Sequence, residues 1–179
     1  MPSRLLIDRT GTGAVETARP GDGLPIRRPD GTVADMRWGL IPQGRRNARG
    51  RPVMDTLVNA RSETLFAKSA WLGVRRGTLD VLGWIEMAGD VRWRIGAEDG
   101  AVLTMAVVWD VWRAPGRGIE IAQAATVTCA PSGVVAPIHD RMPVVLTGDG
   151  IVAWQGGTEA EAAAAYRPVG GLTATREGG

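Results

Sequence analysis

An α+β domain built mainly from short β-strands is the fold class this sequence predicts, and three observations carry the prediction. Glycine (25 residues) and proline (11) recur between short apolar runs, which favours tight turns over long helices. Those runs are rich in Val, Ile, Leu and Trp and are bounded by turn residues, as strands are. Seven tryptophans stand against one phenylalanine and one tyrosine, spread from Trp38 to Trp154. They suit a β-rich core whose indole N–H groups reach its edge. At 179 residues and 44% apolar content, the chain is long enough for one domain with a real core.

The elements follow in order. Residues 4–9 (Arg-Leu-Leu-Ile-Asp-Arg) predict a first strand, and the Gly/Thr/Pro-rich residues 10–23 a loop. Residues 24–28 and 33–41 flank Pro29-Asp30-Gly31 and predict a hairpin. Residues 44–52 form a basic loop, and 56–60 a short strand. Leu65, Phe66, Ala70 and Trp71 have helical spacing, which predicts a helix over 62–74. Strands are expected over 79–87, 91–95, 103–112, 118–129 and 143–146, with turns at Ala88-Gly89-Asp90 and Glu98-Asp99-Gly100. Thr158 and Glu161 form a capping box before an alanine run that Pro168 stops, so a second helix lies there. Residues 1–170 make one domain, and 171–179 a flexible tail. A barrel or a sandwich would protect the strand edges.

Composition excludes several function classes. One cysteine (Cys129) forms no internal disulfide, and with one histidine (His139) no zinc site of the usual type is expected, nor any other cofactor. Arg4, Asp8, Arg9 and Glu16 interrupt the first residues, so no signal peptide is expected. No stretch is long and apolar enough to span a membrane. A cytoplasmic protein is the expectation. Net charge is only +2, but Arg37, Arg45, Arg46, Arg49 and Arg51 crowd into residues 37–54 with no acid among them. Arginine forks suit phosphate; a solvated arginine-rich loop is the other reading.

His139 lies in Pro137-Ile138-His139-Asp140-Arg141-Met142-Pro143, where a proline on each side stiffens the backbone. A histidine held this way suits general acid–base work at neutral pH, or else satisfies local hydrogen bonds at a strand entrance. Two more polar motifs interrupt apolar segments: Asn59-Ala60-Arg61-Ser62-Glu63-Thr64, and Gly83-Trp84-Ile85-Glu86. Glu86 either faces solvent from an alternating strand or is desolvated, which would raise its pKa toward the range useful for proton transfer.

In order, Arg37-Trp38-Gly39-Leu40-Ile41-Pro42, Asn59–Thr64, Gly83–Glu86, Val108-Trp109-Asp110, and the run 126–146 with His-Asp-Arg-Met-Pro resemble the motifs of the SRAP family (SOS-response-associated peptidase domain). Members process abasic sites in single-stranded DNA. The resemblance covers roughly residues 36 to 147. It implies a pseudo-barrel of mixed strands with a DNA groove, in a monomeric, bacterial or phage-encoded protein of the DNA-damage (SOS) response. By motif match, Asn59 positions the N-terminus of the mature chain, while Glu86 and His139 handle protons. Arg4 and Arg61 fall where the family places arginines. Arg37, Arg45, Arg46 and Arg141 are further candidate phosphate contacts, with Trp38 and Trp84 available for base stacking.

The chain departs from the family at its start. The family begins Met-Cys-Gly-Arg, and the cysteine becomes residue one; this chain begins Met1-Pro2-Ser3-Arg4. Pro2 has no thiol, so the family's stable ring adduct with the abasic sugar cannot form there. Removal of Met1 would expose the Pro2 secondary amine, a nucleophile for iminium formation and strand breakage by a lyase route. Cys129 either supplies a thiol instead or is a small buried strand residue, and burial is the expected state of a free cysteine. The alternatives are a DNA-binding module without chemistry and a peptidase acting on its own N-terminus.

Overall fold

The computed structural model describes residues 2–43, 47–51, 54–114 and 116–177. The described strands are β1 (Arg4–Ile7), β2 (Glu16–Ala18), β3 (Gly23–Arg27), β4 (Val33–Trp38), β5 (Asn59–Arg61), β6 (Arg75–Val81), β7 (Gly83–Ala88), β8 (Val91–Ala97), β9 (Leu103–Arg113), β10 (Glu120–Cys129), β11 (Met142–Pro143), β12 (Val145–Leu146) and β13 (Leu172–Arg176). Two helices, α1 (Asp149–Gly156) and α2 (Glu159–Ala164), and three 3₁₀ turns complete the elements of the described residues.

β10, β4, β3, β6 and β9 pair in that order, and β9 pairs back to β10, closing a ring. Only β4 and β10 run parallel in it, so the barrel is mixed. A second sheet, β13-β8-β7-β1-β2, is antiparallel throughout. Its inward residues Leu5, Ile7, Trp84 and Ile95 join Leu24, Met36, Trp38, Met105 and Trp109 of the ring in one core. A second core lies on the other face of β9 and β10, where Val108, Ala125 and Val127 meet Leu65, Trp71 and Trp154. Both faces of these two strands are covered, which is why β9 is nearly continuous in apolar residues and why β10 hydrogen-bonds its buried Gln123, Thr126 and Thr128.

The tryptophans anchor this arrangement as their number suggests. The indole N–H groups of Trp38, Trp109 and Trp154 donate to the carbonyls of Val58 (3.1 Å), Arg76 (3.2 Å) and Gly77 (2.7 Å). Five elements differ from the sequence expectation, the first being α1, over residues where no helix is expected. The single strand expected over 79–87 is two, β6 and β7, broken at Leu82 where the chain leaves the ring for the second sheet. The helix expected over 62–74 is a pair of 3₁₀ turns, Ser62–Thr64 and Ser69–Trp71. The loop expected over 10–23 contains β2. The tail expected to be flexible carries β13, because Leu172 has a core place to fill and β8 has an edge to cover. The capping box forms as expected: Glu161 N–H donates to Thr158 Oγ1, and Thr158 N–H to the Glu161 carboxylate.

Candidate functional site

Glu86 owes its position to β7. Side chains alternate along a strand, so Glu86 lies on the same face as Trp84, which is in the core. Glu86 is 0% exposed. Desolvation pushes its carboxyl up to about 7; the positive charge of the chain's N-terminal amine works against the rise, and the charge of Asp140 adds to it. A carboxyl there is poised to take or give a proton near neutral pH.

The start of the chain runs antiparallel beside it. Arg4 pairs with Ile85, and the ladder extends one step beyond β1, with Ser3 N–H donating to the Ile85 carbonyl (3.2 Å). The Ser3 hydroxyl donates to the same oxygen (3.4 Å). Pro2, one residue further, is buried. Arg4 is half-buried, opposite Ile85 and therefore on the face away from Glu86.

His139 follows the turn Gly133–Val135, and its backbone N–H donates to the Val135 carbonyl (3.0 Å). Its Nδ1 accepts the backbone N–H of Arg141 (3.0 Å), while Asp140 Oδ1 lies 2.9 Å from the same nitrogen. The two contacts are alternatives at one nitrogen: a bare Nδ1 accepts from Arg141, whereas an Nδ1–H donates to Asp140.

Arg141 holds the loop in place and is not an open phosphate contact. Its fork meets both Glu63 oxygens (2.6 and 2.9 Å) and donates to the Thr128 carbonyl (2.5 Å). Its side chain is 13% exposed. The pair ties the Asn59–Thr64 motif to the His139 motif, and the hydrogen bond from Arg141 holds the Glu63 carboxyl below its ordinary value. Glu63 was not singled out from the sequence. Its place in the same motif as Asn59 was the available signal.

Asn59 is half-buried on β5, parallel to β10, and its Oδ1 accepts the Thr126 hydroxyl. With exposed Arg61 and Lys68 it lines a hollow of about 570 Å³ beneath Trp71. Pro137 and Ile138, just before His139, line a different hollow of about 590 Å³ with Ala88 and Trp93, the neighbours of buried Glu86 on β7 and β8. Thus the structure brings Glu86, the chain start and the His139 loop together, and sets Asn59 and Arg61 beside β10.

Besides Arg141, three expectations are corrected, and two lie outside the described residues. Trp38 (1% exposed) and Trp84 (0%) are core residues with no ring face available for stacking. Arg37 is spent on structure, since its Nη2 donates to the Gly39 carbonyl (3.0 Å) and to Gln123 Oε1 (3.3 Å). Arg45 and Arg46 lie outside the described residues. Burial pushes the Cys129 thiol up, the opposite of nucleophilic activation. Among the described residues, no three His, Cys, Asp or Glu side chains are grouped to hold a metal, and no helix is long and apolar enough to cross a membrane.

Comparison with known proteins agrees with the motifs. The chain is 28% identical over 130 residues to the abasic site processing protein YoqW of Bacillus subtilis (strain 168), covering 68% of this chain and 56% of that one. It is 28% identical over 147 residues to the abasic site processing protein HMCES of Gallus gallus, covering 65% and 43%. The chain thus spans about half the length of these curated relatives. A crystal structure of a protein from Bordetella bronchiseptica superposes with a TM-score of 0.76 at 24% identity, over 90% of this chain and 87% of that one. Another, from Bacteroides thetaiotaomicron, gives 0.75 at 22% identity, over 89% and 76%. These likenesses show the fold, and the family model for the SOS response associated peptidase matches residues 13–175. The chain therefore belongs to the SRAP family.

Proposed function

We propose that this protein binds abasic sites in single-stranded DNA and, once Met1 is removed, opens them as a lyase through the Pro2 amine. The observation that carries the reading is the Ser3–Ile85 hydrogen bond, which sets the start of the chain beside buried Glu86. The names of the curated relatives, abasic site processing proteins, support the substrate.

The neutral Pro2 nitrogen attacks C1′ of the open-chain sugar, and the carbonyl oxygen leaves as water, giving an iminium. The iminium acidifies C2′. Glu86 as carboxylate, or His139 through its ring, takes the C2′ proton. The electron pair forms the C2′–C3′ double bond and expels the 3′ phosphate. Water then hydrolyses the unsaturated iminium and restores the amine. The absence of a thiol at Pro2 supports turnover over a stable cross-link.

Borohydride added during reaction with an abasic single-stranded oligonucleotide tests this route. A reduced adduct at Pro2, with strand cleavage lost in Glu86→Gln, is the expected result. Met1-free protein that gives no adduct and no cleavage overturns it. Salt-sensitive binding without product would instead favour a second reading, a DNA-binding module without chemistry, which the missing thiol also favours. N-terminal mass spectrometry distinguishes both from self-processing and reports whether Met1 leaves.

A further inference from the structure

We propose that the hollow between β8 and the Pro137–Ile138 segment is a nucleobase subsite: Trp93 stacks the base next to the abasic sugar, and Arg176 meets its phosphate. The inference rests on the functional reading above and deepens it.

Strand register carries the argument. Trp93 is the direct partner of Glu86 across β7 and β8, and Arg176 the direct partner of Trp93 across β8 and β13. Directly opposed residues share a face, so a carboxyl, an indole and a guanidinium stand in a row, about 10 Å from first to last. Glu86 is buried, Trp93 half-buried and Arg176 exposed, so the row climbs from the reacting centre to solvent. In the described structure Trp93 is the aromatic residue that Trp38 and Trp84 were expected to be, a ring beside the site with surface to offer.

The hollow over this ring has a volume of about 590 Å³, and Ala88, Val91, Val134, Pro137 and Ile138 line it. Its two walls present the site, since Glu86 is two residues before Ala88 and His139 follows Ile138. Thr173 and Ala174 of β13 complete the lining, which is mainly apolar, holds no charged side chain, and suits a flat, uncharged ring better than a phosphate. Asp140, 82% exposed, adds negative charge at the same edge, so the phosphate is driven outward to Arg176 while the neutral base occupies the floor.

Fluorescence anisotropy on short single strands carrying a tetrahydrofuran abasic analogue tests the subsite without requiring catalysis. Trp93→Ala weakens binding about tenfold, and Trp93→Phe, which keeps a ring and guards against misfolding, stays within about threefold. Replacing the neighbouring base by a second tetrahydrofuran costs the wild type about tenfold and Trp93→Ala little. Arg176→Ala lowers the slope of log affinity against log salt by about 0.7. Equal loss on base removal in wild type and Trp93→Ala, or wild-type affinity in Trp93→Ala, overturns the subsite alone. A wild-type protein that fails to bind the abasic strand overturns the functional reading and the subsite with it.

Discussion

Glu86 is a carboxyl that the fold keeps partly protonated at neutral pH. Its folded-state pKa, about 7, stands above the ordinary 4.5, so between these values the native state binds more protons than the unfolded chain. The stability it contributes is therefore full below about pH 4.5 and lost as pH rises through 7, by at most about 3 kcal/mol. Thermal unfolding across pH 5–8 measures this: wild type loses stability over the window, and Glu86→Gln flattens the loss. A variant with the wild-type slope would show that Glu86 is not the titrating group. Gly-Trp-Ile-Glu marked Glu86 in the sequence as one acid in an apolar strand, but the strand's second buried face was not visible there. The structural role of Arg141 is hidden in the sequence for a related reason. An exposed fork and one clamped by Glu63 read the same in a sequence, and only the fold brings residues 63, 128 and 141 together.

At the scale of elements, Gly83 decides where β7 begins. Its φ of +148° is one that side chains rarely adopt, and a Cβ there would lie 2.3 Å from the Ile95 carbonyl oxygen. Leu82 N–H meanwhile donates to the Leu6 carbonyl (2.7 Å), fastening the turn to β1. Gly83→Ala should cost at least about 2 kcal/mol and lower the melting temperature by several degrees. Unchanged melting would mean that the turn does not set the start of β7. The apolar run 79–87 hid this turn because a glycine inside a strand pattern is ambiguous without the backbone approaching it. Conversely, α2 was legible because a capping box is a local signal, whereas α1 starts at Gly148-Asp149-Gly150, residues that read as a turn, and buries chiefly Trp154. Leu65 and Trp71 had helical spacing but fill the second core from two separate 3₁₀ turns joined at Lys68.

Across the whole molecule, the two cores share β9 and β10, and the second sheet closes over the first core from the side. β13 is its outermost strand, covering β8 from Trp93 to Ala97 and burying Leu172 to 6% exposure. Deleting residues 171–179 should therefore cost at least about 2 kcal/mol, read as a fall in melting temperature of roughly 4–8 °C. A truncated chain that melts with the full one would make β13 an ornament. The mainly β class and most strands were legible from turn residues and apolar runs. The pairing of strands far apart in sequence was not, because no local pattern records which edge meets which. One such pairing also sets the order of events in synthesis. The barrel closes only where Arg37 and Trp38 meet Gln123 and Ala124, and the Gln123 amide then grips Ile41 through both N–H and carbonyl (2.9 Å each). A ribosome must deliver more than two-thirds of the chain before that seam can form, so β4 waits, its outer edge open, for a partner not yet made. Folding should be slow for the chain's length, and the nascent protein should lean on chaperones longer than a helical domain of equal size.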